Sequence, residues 1–497
     1  MPPGTPPGLP ADDDLDTVAS SLHSAVPLTV RFREQLSARK QRVSQKLDLV
    51  RTALDTTVQT RREEFRERHP GLAEAGERTA GQFRDARARF QELKYRRNIS
   101  VNLPANAALG GDGDGGDGAG WFALSDGRPL TTRTRSGRFI VPWETRVTFK
   151  SAAQFLRWRW GHFWLPQGGH FHPGSEAEAR ALVAAEPAVP PPRPPPGSGG
   201  AATWLGHASV LFAVPQPPGD PPLHVLTDPN FSARASPVSW AGPKRYANLA
   251  GGLGGAVVGE VAKAADLVLV SHDHYDHLDL PTLRALHRER EKRSLPPSRY
   301  YVPLGTKAFL LSHLPLPPSC VTELAWWDAA THVSPSGAET TVTATPAQHW
   351  CSRTPFDRNE RLWCGFAVAG PLAGEAGEGG GLGGKFYYAG DTGYPSAFPL
   401  FSLIGDRLGP FDLSVLPIGA YSPRWFMSSQ HIDPREAVKI HLETGSRKTV
   451  AVHHQTFPLA DERWDEPAEL LRQACREMEV CEETEFVTLQ HGGAVVC

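Results

Sequence analysis

The feature that most constrains this chain is a run of metal-binding side chains directly after a stretch of apolar residues. The stretch Ala-Asp-Leu-Val-Leu-Val-Ser leads into residues 272–277, which read His-Asp-His-Tyr-Asp-His. The apolar residues predict a buried strand. If the backbone stays extended, His272 and His274 project to the same side, and the turn that follows lets Asp276 and His277 face a second point. Imidazole nitrogens with a carboxylate oxygen suit zinc, whereas calcium prefers oxygen ligands alone.

One hexamer cannot complete two metal sites, so further ligands must lie elsewhere in the chain. Three candidates each follow an apolar run that predicts a strand: His349, Asp391 and His453. Strands of one sheet that end on one edge would bring all three to His272. The expected set is three imidazoles for one metal ion, an Asp/His group for a second, and a carboxylate between them. Asp279 either orients a ligand histidine or caps the following helix, and the sequence leaves both open.

The chain from Thr203 onward alternates apolar runs with helical patterns, which predicts an α/β fold. The predicted strands are Ser209–Val214, His224–Thr227, Asp266–Ser271, Thr340–Thr345, Lys385–Ala389, Asp412–Pro417 and Thr449–His453. The predicted helices are Pro281–Lys292, Pro434–Glu443 and Pro467–Met478. Each begins with proline, which suits the first helical turn because its missing N–H is not needed there.

The sequence before this region divides into segments of different composition. Residues 1–30 are rich in proline and glycine, then acidic, and we expect them to be disordered. We expect residues 31–98 to form a helical extension, because apolar side chains recur at helical spacing at Val43, Leu47, Val50 and Leu54. This extension is either a helical hairpin (or weak coiled coil) or a lone amphipathic surface helix. Residues 99–120 form a Gly/Asp-rich linker that lacks the distal glutamate of a calcium loop.

The next segment, residues 121–186, is an aromatic-rich extension of the catalytic domain. Its tryptophans and phenylalanines between 155 and 171 alternate with arginines. Such a patch suits a membrane interface, but packing against the catalytic domain explains it equally well. Residues 187–200 are a Pro/Gly spacer, and residues 201–497 form the domain that carries the predicted metal ligands.

Charge and composition narrow the classes of protein. Lys+Arg 52 against Asp+Glu 54 gives a net charge of −2, which disfavours a nucleic-acid partner. The sequence has no apolar stretch near the length of a spanning helix and no secretory signal pattern at its start. Its six cysteines form no CxxC pair, which predicts reduced thiols in an intracellular protein without specifying the organelle. The oligomeric state stays open, a homodimer included.

Several motifs resemble the metallo-β-lactamase fold, and more closely its branch of N-acylphosphatidylethanolamine-hydrolysing phospholipases D. They span residues 203–457 in the family's order, with GRFIVPW (137–143) upstream. The stretches that carry the resemblance include TWLGHASVLF (203–212), LTDPNFSARASP (226–237), SHDHYDHLD (271–279), QHWC (348–351), AGDTGY (389–394), PIGAYSPRWFM (417–427) and QHIDPREAV (430–438). The resemblance implies a four-layer αβ/βα sandwich, to which this chain adds its N-terminal helical extension.

The resemblance also implies a set of roles for named residues. One zinc ion is expected on His272, His274 and His349, and a second on Asp276, His277 and His453. Asp391 would bridge the two ions and take part in catalysis. Tyr275 and His431 would contact the substrate's phosphate region. His431 also precedes a predicted helix, and its ordinary pKa suits proton transfer to a leaving alkoxide.

The family's reaction is attack of a dimetal-bridged hydroxide on the phosphodiester of N-acylphosphatidylethanolamine. It yields N-acylethanolamine and phosphatidate, and the enzymes are peripheral membrane proteins whose substrate comes from the bilayer. Two other functions remain open on the residues alone. The metal centre could serve another substrate, such as a lactone, a sugar phosphate or a nucleic-acid phosphodiester, or the chain could be a non-catalytic scaffold.

This chain departs from the family at two places. The family usually has His-Trp-Gly-Thr-Phe where this chain has His-His-Gln-Thr-Phe at 453–457, which leaves the acyl preference open. His454 could compete as a ligand, although strand alternation should point it away from the edge. The glycine-rich insert at 370–385 lengthens a hairpin before Asp391.

Overall fold

The computed structural model describes residues 134, 136–143, 176–182, 187–195, 198–248, 252–371, 384–396 and 398–497. The predicted disordered, helical and linker segments (1–30, 31–98 and 99–120) lie outside the described residues. So do most of the extension at 121–186 and most of the insert at 370–385. These segments and the domain boundaries therefore stay predictions.

The first sheet has seven strands in the order β14-β1-β2-β3-β4-β5-β6. Strands β3 to β6 run parallel, whereas β14, β1, β2 and β3 pair antiparallel. The strands are β1 (Ala201–Gly206), β2 (Ser209–Val214), β3 (Leu223–Thr227), β4 (Leu267–Leu269), β5 (Arg299–Pro303), β6 (Val321–Leu324) and β14 (Ala494–Val496).

The second sheet mirrors this arrangement, with the order β13-β12-β11-β10-β9-β8-β7. Strands β10 to β13 are parallel, and β7 to β10 pair antiparallel. The strands are β7 (Ala329–Val333), β8 (Glu339–Thr345), β9 (Gly365–Ala369), β10 (Lys385–Tyr388), β11 (Leu413–Pro417), β12 (Lys448–Val452) and β13 (Phe486–Val487).

Helices cover the outer faces of both sheets. Valines and leucines of α2, α3 and α4 join side chains of the first sheet in one buried cluster. A larger cluster fills the space between the sheets and continues beneath α5, α7 and α8. The described helices are α1 (Glu176–Ala181), α2 (Ala256–Ala264), α3 (Leu280–Lys292), α4 (Thr306–His313), α5 (Leu400–Leu408), α6 (Arg424–Met427), α7 (Pro434–Glu443) and α8 (Glu466–Glu477). The four-layer sandwich that the sequence predicts is confirmed.

Strand direction places the ends of six strands at the site. In the first sheet β1 and β3 run the same way because the antiparallel β2 separates them, and β4 is parallel to β3. In the second sheet the same argument aligns β8, β10 and β12. Each sheet therefore presents three strand ends at one edge. The chain continues from these ends to His207, Asp228, His272, His349, Asp391 and His453.

Residues 136–143 of the upstream extension pack against the hydrolase domain. The Phe139 side chain is buried, and its carbonyl accepts a hydrogen bond from Asn359 Nδ2 at 3.0 Å. The Trp143 ring stacks on Phe398 with centroids 5.2 Å apart, and its Nε1 donates to Gln348 Oε1 at 3.1 Å. Gln348 immediately precedes His349. This short segment therefore supports the site, and the arginine-flanked aromatics at 155–171 lie outside the described residues.

We expect substitution of Trp143 to destabilise the domain. Trp143→Ala removes a ring that also lies 5.3 Å from Trp326, so the free energy of unfolding should fall by ~2–4 kcal/mol. Trp143→Phe keeps a stacked ring but loses the bond to Gln348 and part of the packed indole, so it should cost less, about 1–2 kcal/mol. Urea unfolding measures both. Trp240→Ala is the control, because Trp240 is 80% exposed. Equal stability of Trp143→Ala and wild-type protein would contradict this role.

Candidate active site

The first candidate metal site consists of three histidines. His272 Nε2 lies 2.9 Å from His274 Nδ1, which lies 3.2 Å from His349 Nε2. His272 and His274 follow β4 of the first sheet, and His349 follows β8 of the second. Two nitrogens that bind one ion tetrahedrally with bonds of ~2.0–2.1 Å are separated by about 3.3 Å. The three nitrogens therefore fit a single ion.

The second candidate site contains one carboxylate and two imidazoles. Asp276 Oδ2 lies 3.4 Å from His277 Nε2 and 3.5 Å from His453 Nε2. The two imidazole nitrogens are 3.3 Å apart. These separations again match the ligands of one tetrahedral ion. Asp276 and His277 come from the hexamer, and His453 follows β12 of the facing sheet.

Asp391 lies between the two sites. Its Oδ2 is 3.1 Å from His277 Nε2, and its Oδ1 is 3.1 Å from His453 Nε2. The same Oδ2 is 3.9 Å from His272 Nε2 and 3.8 Å from His349 Nε2. One carboxylate thus faces donor atoms of both sites. The structure brings together all seven residues that the sequence nominated as ligands.

Buried partners fix the orientation of the ligand rings. The carboxylate of Asp228 accepts a hydrogen bond from His277 Nδ1 at 2.6 Å and from the backbone N–H of Ser271 at 2.7 Å. His349 Nδ1 donates to the carbonyl of Gln430 at 2.9 Å. In both histidines the bond to Nδ1 leaves Nε2 facing the other ligands, which is the usual way that a ligand ring is oriented.

Burial keeps the histidines of the first site in the form that binds metal. It lowers the pKa of His349 to about 3 and that of His274 to about 4, and it holds the pKa of His272 well below its usual range. All three imidazoles are therefore neutral near pH 7. A metal ion binds the neutral ring, so no proton has to be displaced from these residues.

The second site pairs buried carboxylates with imidazoles whose pKa values the carboxylates raise. Burial opposes ionisation of Asp276 and Asp391, but nearby histidines outweigh it and keep both pKa values well below the usual range. Burial also opposes protonation of His453, yet these carboxylates raise its pKa to about 9. Buried carboxylates of this kind need a positive partner. The donor set of both sites therefore fits a pair of divalent cations.

The two residues predicted to contact substrate differ in their surroundings. Tyr275 donates its hydroxyl to the Arg353 carbonyl at 2.9 Å, and the Arg353 guanidinium lies 4.0 Å from the centre of its ring. The hydroxyl is therefore engaged by a neighbouring loop. His431 Nδ1 lies 3.8 Å from Asp391 Oδ2 and, within the described part of the chain, has no hydrogen-bond partner. The buried His431 ring thus stands beside both sites.

Two residues at the site escaped the sequence analysis. His207, after β1, places Nε2 3.0 Å from Asp276 Oδ2. Asp228, after β3, holds the ring of His277. Asp228 could have been found, because it follows the predicted strand His224–Thr227 just as Asp391 follows another. His207 gave a weaker signal, since β1 was not predicted as a strand.

Asp279 and His454 have structural contacts away from the ligand atoms. The Asp279 carboxylate accepts bonds from Thr282 Oγ1 at 2.5 Å and from the Ser232 N–H at 3.2 Å, at the start of α3. The His454 ring stacks on Trp204 with centroids 4.9 Å apart. His454 thus packs in the core away from the ligand atoms, as predicted. Strand alternation is not the reason, because β12 ends at Val452 and His453 has a φ of +62°.

Comparisons with known proteins agree with this architecture. A sequence profile described as the beta-lactamase superfamily domain matches residues 224–454. N-acyl-phosphatidylethanolamine-hydrolyzing phospholipase D 1 of Caenorhabditis elegans is 38% identical over 298 residues, which cover 59% of this chain and 75% of that protein. The mitochondrial enzyme of the same description from Saccharomyces cerevisiae is 34% identical over 255 residues, or 50% of this chain and 47% of its own.

Among solved structures, the metallo hydrolase Igni18 of Ignicoccus hospitalis aligns with 60% of this chain and 98% of its own, at 18% identity and a TM-score of 0.37. The family assignment rests on the sequence relatives. The fold that they share implies a site for two metal ions. The three histidines of the first site are candidate ligands of one ion, and Asp276, His277 and His453, with the adjacent His207, are candidate ligands of the other. The chain therefore belongs to the N-acylphosphatidylethanolamine-hydrolysing phospholipase D branch of the metallo-β-lactamase superfamily and is a metal-dependent phosphodiester hydrolase.

Proposed function

We propose that this protein is a zinc-dependent phospholipase D that hydrolyses N-acylphosphatidylethanolamine to N-acylethanolamine and phosphatidate. The observation that carries the proposal is the convergence of five imidazoles and two carboxylates into two adjacent sites that share Asp391. A donor set rich in imidazole favours zinc over magnesium or calcium. The substrate follows from the relatives, which are described as hydrolysing this lipid.

The ligand residues would hold the two ions at fixed positions relative to the phosphate. His272, His274 and His349 would bind one ion, Asp276, His277 and His453 the other, and Asp391 both. A pair of zinc ions supplies Lewis-acid activation of water and neutralises charge on the phosphate oxygens. Burial keeps the three histidines of the first site neutral, and the nearby histidines keep Asp276 and Asp391 ionised.

His431 is placed to act on the reacting phosphodiester. Attack at phosphorus breaks the bond between phosphorus and the ethanolamine oxygen, and the departing alkoxide must acquire a proton. The His431 ring lies 5.2 Å from that of His349 and 5.4 Å from that of His453, so it borders both sites. Burial lowers the pKa of His431 to about 3, so its ring is neutral near pH 7 and would donate a hydrogen bond to the phosphate region. The alkoxide would take up the proton that is released when water supplies the attacking hydroxide. The Tyr275 hydroxyl donates to the Arg353 carbonyl. We therefore propose that Tyr275 contacts the substrate through the edge of its ring.

The surface at this edge suits contact with a bilayer. Trp240, Phe356 and Trp425 are 80%, 82% and 49% exposed. They lie on the connections that follow β3, β8 and β11, at the edge where the ligands lie. Exposed aromatic rings favour the headgroup region of a membrane. Among the described helices, none has the length and apolar character to cross a bilayer. The three exposed rings support our proposal of peripheral attachment through these connections.

The substrate proposal predicts zinc-dependent release of N-acylethanolamine from purified protein. N-acylphosphatidylethanolamine in detergent micelles is the substrate, and mass spectrometry measures the product. Chelation should abolish turnover and zinc should restore it. His274→Ala should lower turnover by at least ~1,000-fold because it removes a ligand. His431→Ala should lower kcat by ~100-fold while zinc content stays at two per chain, because it removes the hydrogen bond to the phosphate.

His332→Ala is the matched control, since His332 lies on the edge strand β7, away from the six strand ends at the site. It should keep wild-type turnover. Protein that carries two zinc ions and forms no N-acylethanolamine would refute the substrate. Phosphodiesters without acyl chains, assayed in parallel, would then identify another substrate class for the same centre.

The attachment proposal predicts weaker vesicle binding when the exposed rings are removed. Alanine at Trp240, Phe356 and Trp425 together should reduce the fraction that co-sediments with phospholipid vesicles, with a partition coefficient at least ~10-fold lower. Alanine at Leu442 and Leu470, which are 52% and 37% exposed on α7 and α8, is the control. Equal loss of binding in both variants would show that exposed apolar area in general, rather than this edge, determines attachment.

A further inference from the structure

His207 occupies a strained and fully buried position beside the second candidate site. It directly follows β1, its side chain is 1% exposed, and its φ is +52°. Residues other than glycine adopt this left-handed backbone conformation uncommonly, although asparagine, aspartate and histidine do so more readily than the rest. Strain of this kind persists only where surrounding contacts hold the residue in place.

The side chain of His207 reaches the carboxylate of the second site. Its Nε2 lies 3.0 Å from Asp276 Oδ2, which is the oxygen that also faces His277 and His453. A carboxylate oxygen can only accept, so His207 must donate its Nε2–H. A hydrogen bond to an ionised group is roughly twice as strong as a neutral one. His207 thus fixes the direction in which the Asp276 oxygen points.

The backbone of His207 holds another member of the same site. Its carbonyl accepts hydrogen bonds from the His453 N–H at 3.0 Å and from Trp204 Nε1 at 2.8 Å. Its own N–H donates to Thr456 Oγ1 at 2.7 Å. His453 itself has a φ of +62°. One residue of the first sheet therefore joins the side chain of Asp276 to the backbone of a ligand from the second sheet.

The first site has different supports. His272 Nδ1 lies 2.9 Å from Ser271 Oγ, and His349 Nδ1 donates to the Gln430 carbonyl. Loss of the His207 side chain should therefore affect the two sites unequally. A ligand whose orienting bond is removed typically binds its metal ~10–100-fold more weakly.

We propose that His207 is a positioning residue that sets the metal affinity of the second site, made by Asp276, His277 and His453, without itself being a ligand there. The inference rests on the metal dependence proposed above. It goes beyond that function because it assigns separate control of one of the two ions to a residue outside the seven ligands. It also predicts a stable form of the protein that carries a single ion.

The test compares two amide substitutions that differ in reach. His207→Gln places an N–H donor at about the distance of the imidazole Nε2, so it should keep the bond to Asp276. His207→Asn is one methylene shorter and should lose that bond, while asparagine tolerates the positive φ. The matched control is His441→Asn, because His441 is also buried and bonded through one ring nitrogen, to Thr449 Oγ1 at 2.8 Å.

The readout is zinc bound per chain, measured by mass spectrometry of the metals in the full-length protein after equilibration in zinc buffers, with each affinity taken from chelator competition. Wild-type, His207→Gln and His441→Asn proteins should bind two zinc ions. In His207→Asn the zinc affinity of the first site should stay within about 3-fold of the wild-type value. The zinc affinity of the second site should fall by ~10–100-fold. The melting temperature of metal-free His207→Asn should be no lower than that of metal-free His207→Gln, because asparagine tolerates the positive φ better than glutamine.

Three outcomes would overturn the proposal. His207→Asn could keep both affinities, which would mean that the bond does not set the site. Both affinities could fall together with a lower melting temperature of the metal-free protein, which would indicate a general structural role. His207→Gln could lose the second ion as well, which would indicate that the imidazole is itself a ligand.

The failure of the proposed function is separable from these outcomes. Wild-type protein with two zinc ions and no activity on N-acylphosphatidylethanolamine would refute that substrate, and the comparison of the His207 variants would still decide their role. Wild-type protein that binds fewer than two ions would overturn both proposals.

Discussion

The structure depends on the contacts between the buried Asp391 carboxylate and imidazoles that follow strands of both sheets. Its two oxygens lie 3.1 Å from His277 and His453, and Oδ2 also faces the first site. An isolated charge at such depth would be prohibitively costly, so it needs positive partners on several sides. The two sheets supply those partners together, because only strand ends from both can surround one carboxylate.

The remaining structure keeps that edge in place. Asp228 orients His277, and the Gln430 carbonyl orients His349. His207 forms hydrogen bonds with Asp276 of the hexamer and with the backbone of His453 after β12. Trp143, from an upstream segment, donates a hydrogen bond to Gln348. These supports come from widely separated parts of the sequence. The site is thus a property of the assembled sandwich. Under the proposed membrane attachment, the exposed aromatic rings on connections that leave the same edge would turn the site toward lipid.

Much of this could be predicted from the sequence because the signals are local. The strand Ser209–Val214 and the helix Pro434–Glu443 have the predicted bounds, the latter because Asp433 and Glu436 form a capping box before it. What the sequence could not give was decided by tertiary contacts. The hydroxyl of Tyr275 is directed by a loop 78 positions away, and the short strand β1 ends in a glycine that weakens its pattern.

Anomalous X-ray scattering at the zinc edge from crystals of the zinc-loaded protein tests the central claim most directly. The account predicts two peaks ~3.5–4 Å apart. One should lie within bonding distance of His272, His274 and His349, the other of Asp276, His277 and His453, with Asp391 contacting both. A single peak, or a second peak bound by other side chains, would contradict it.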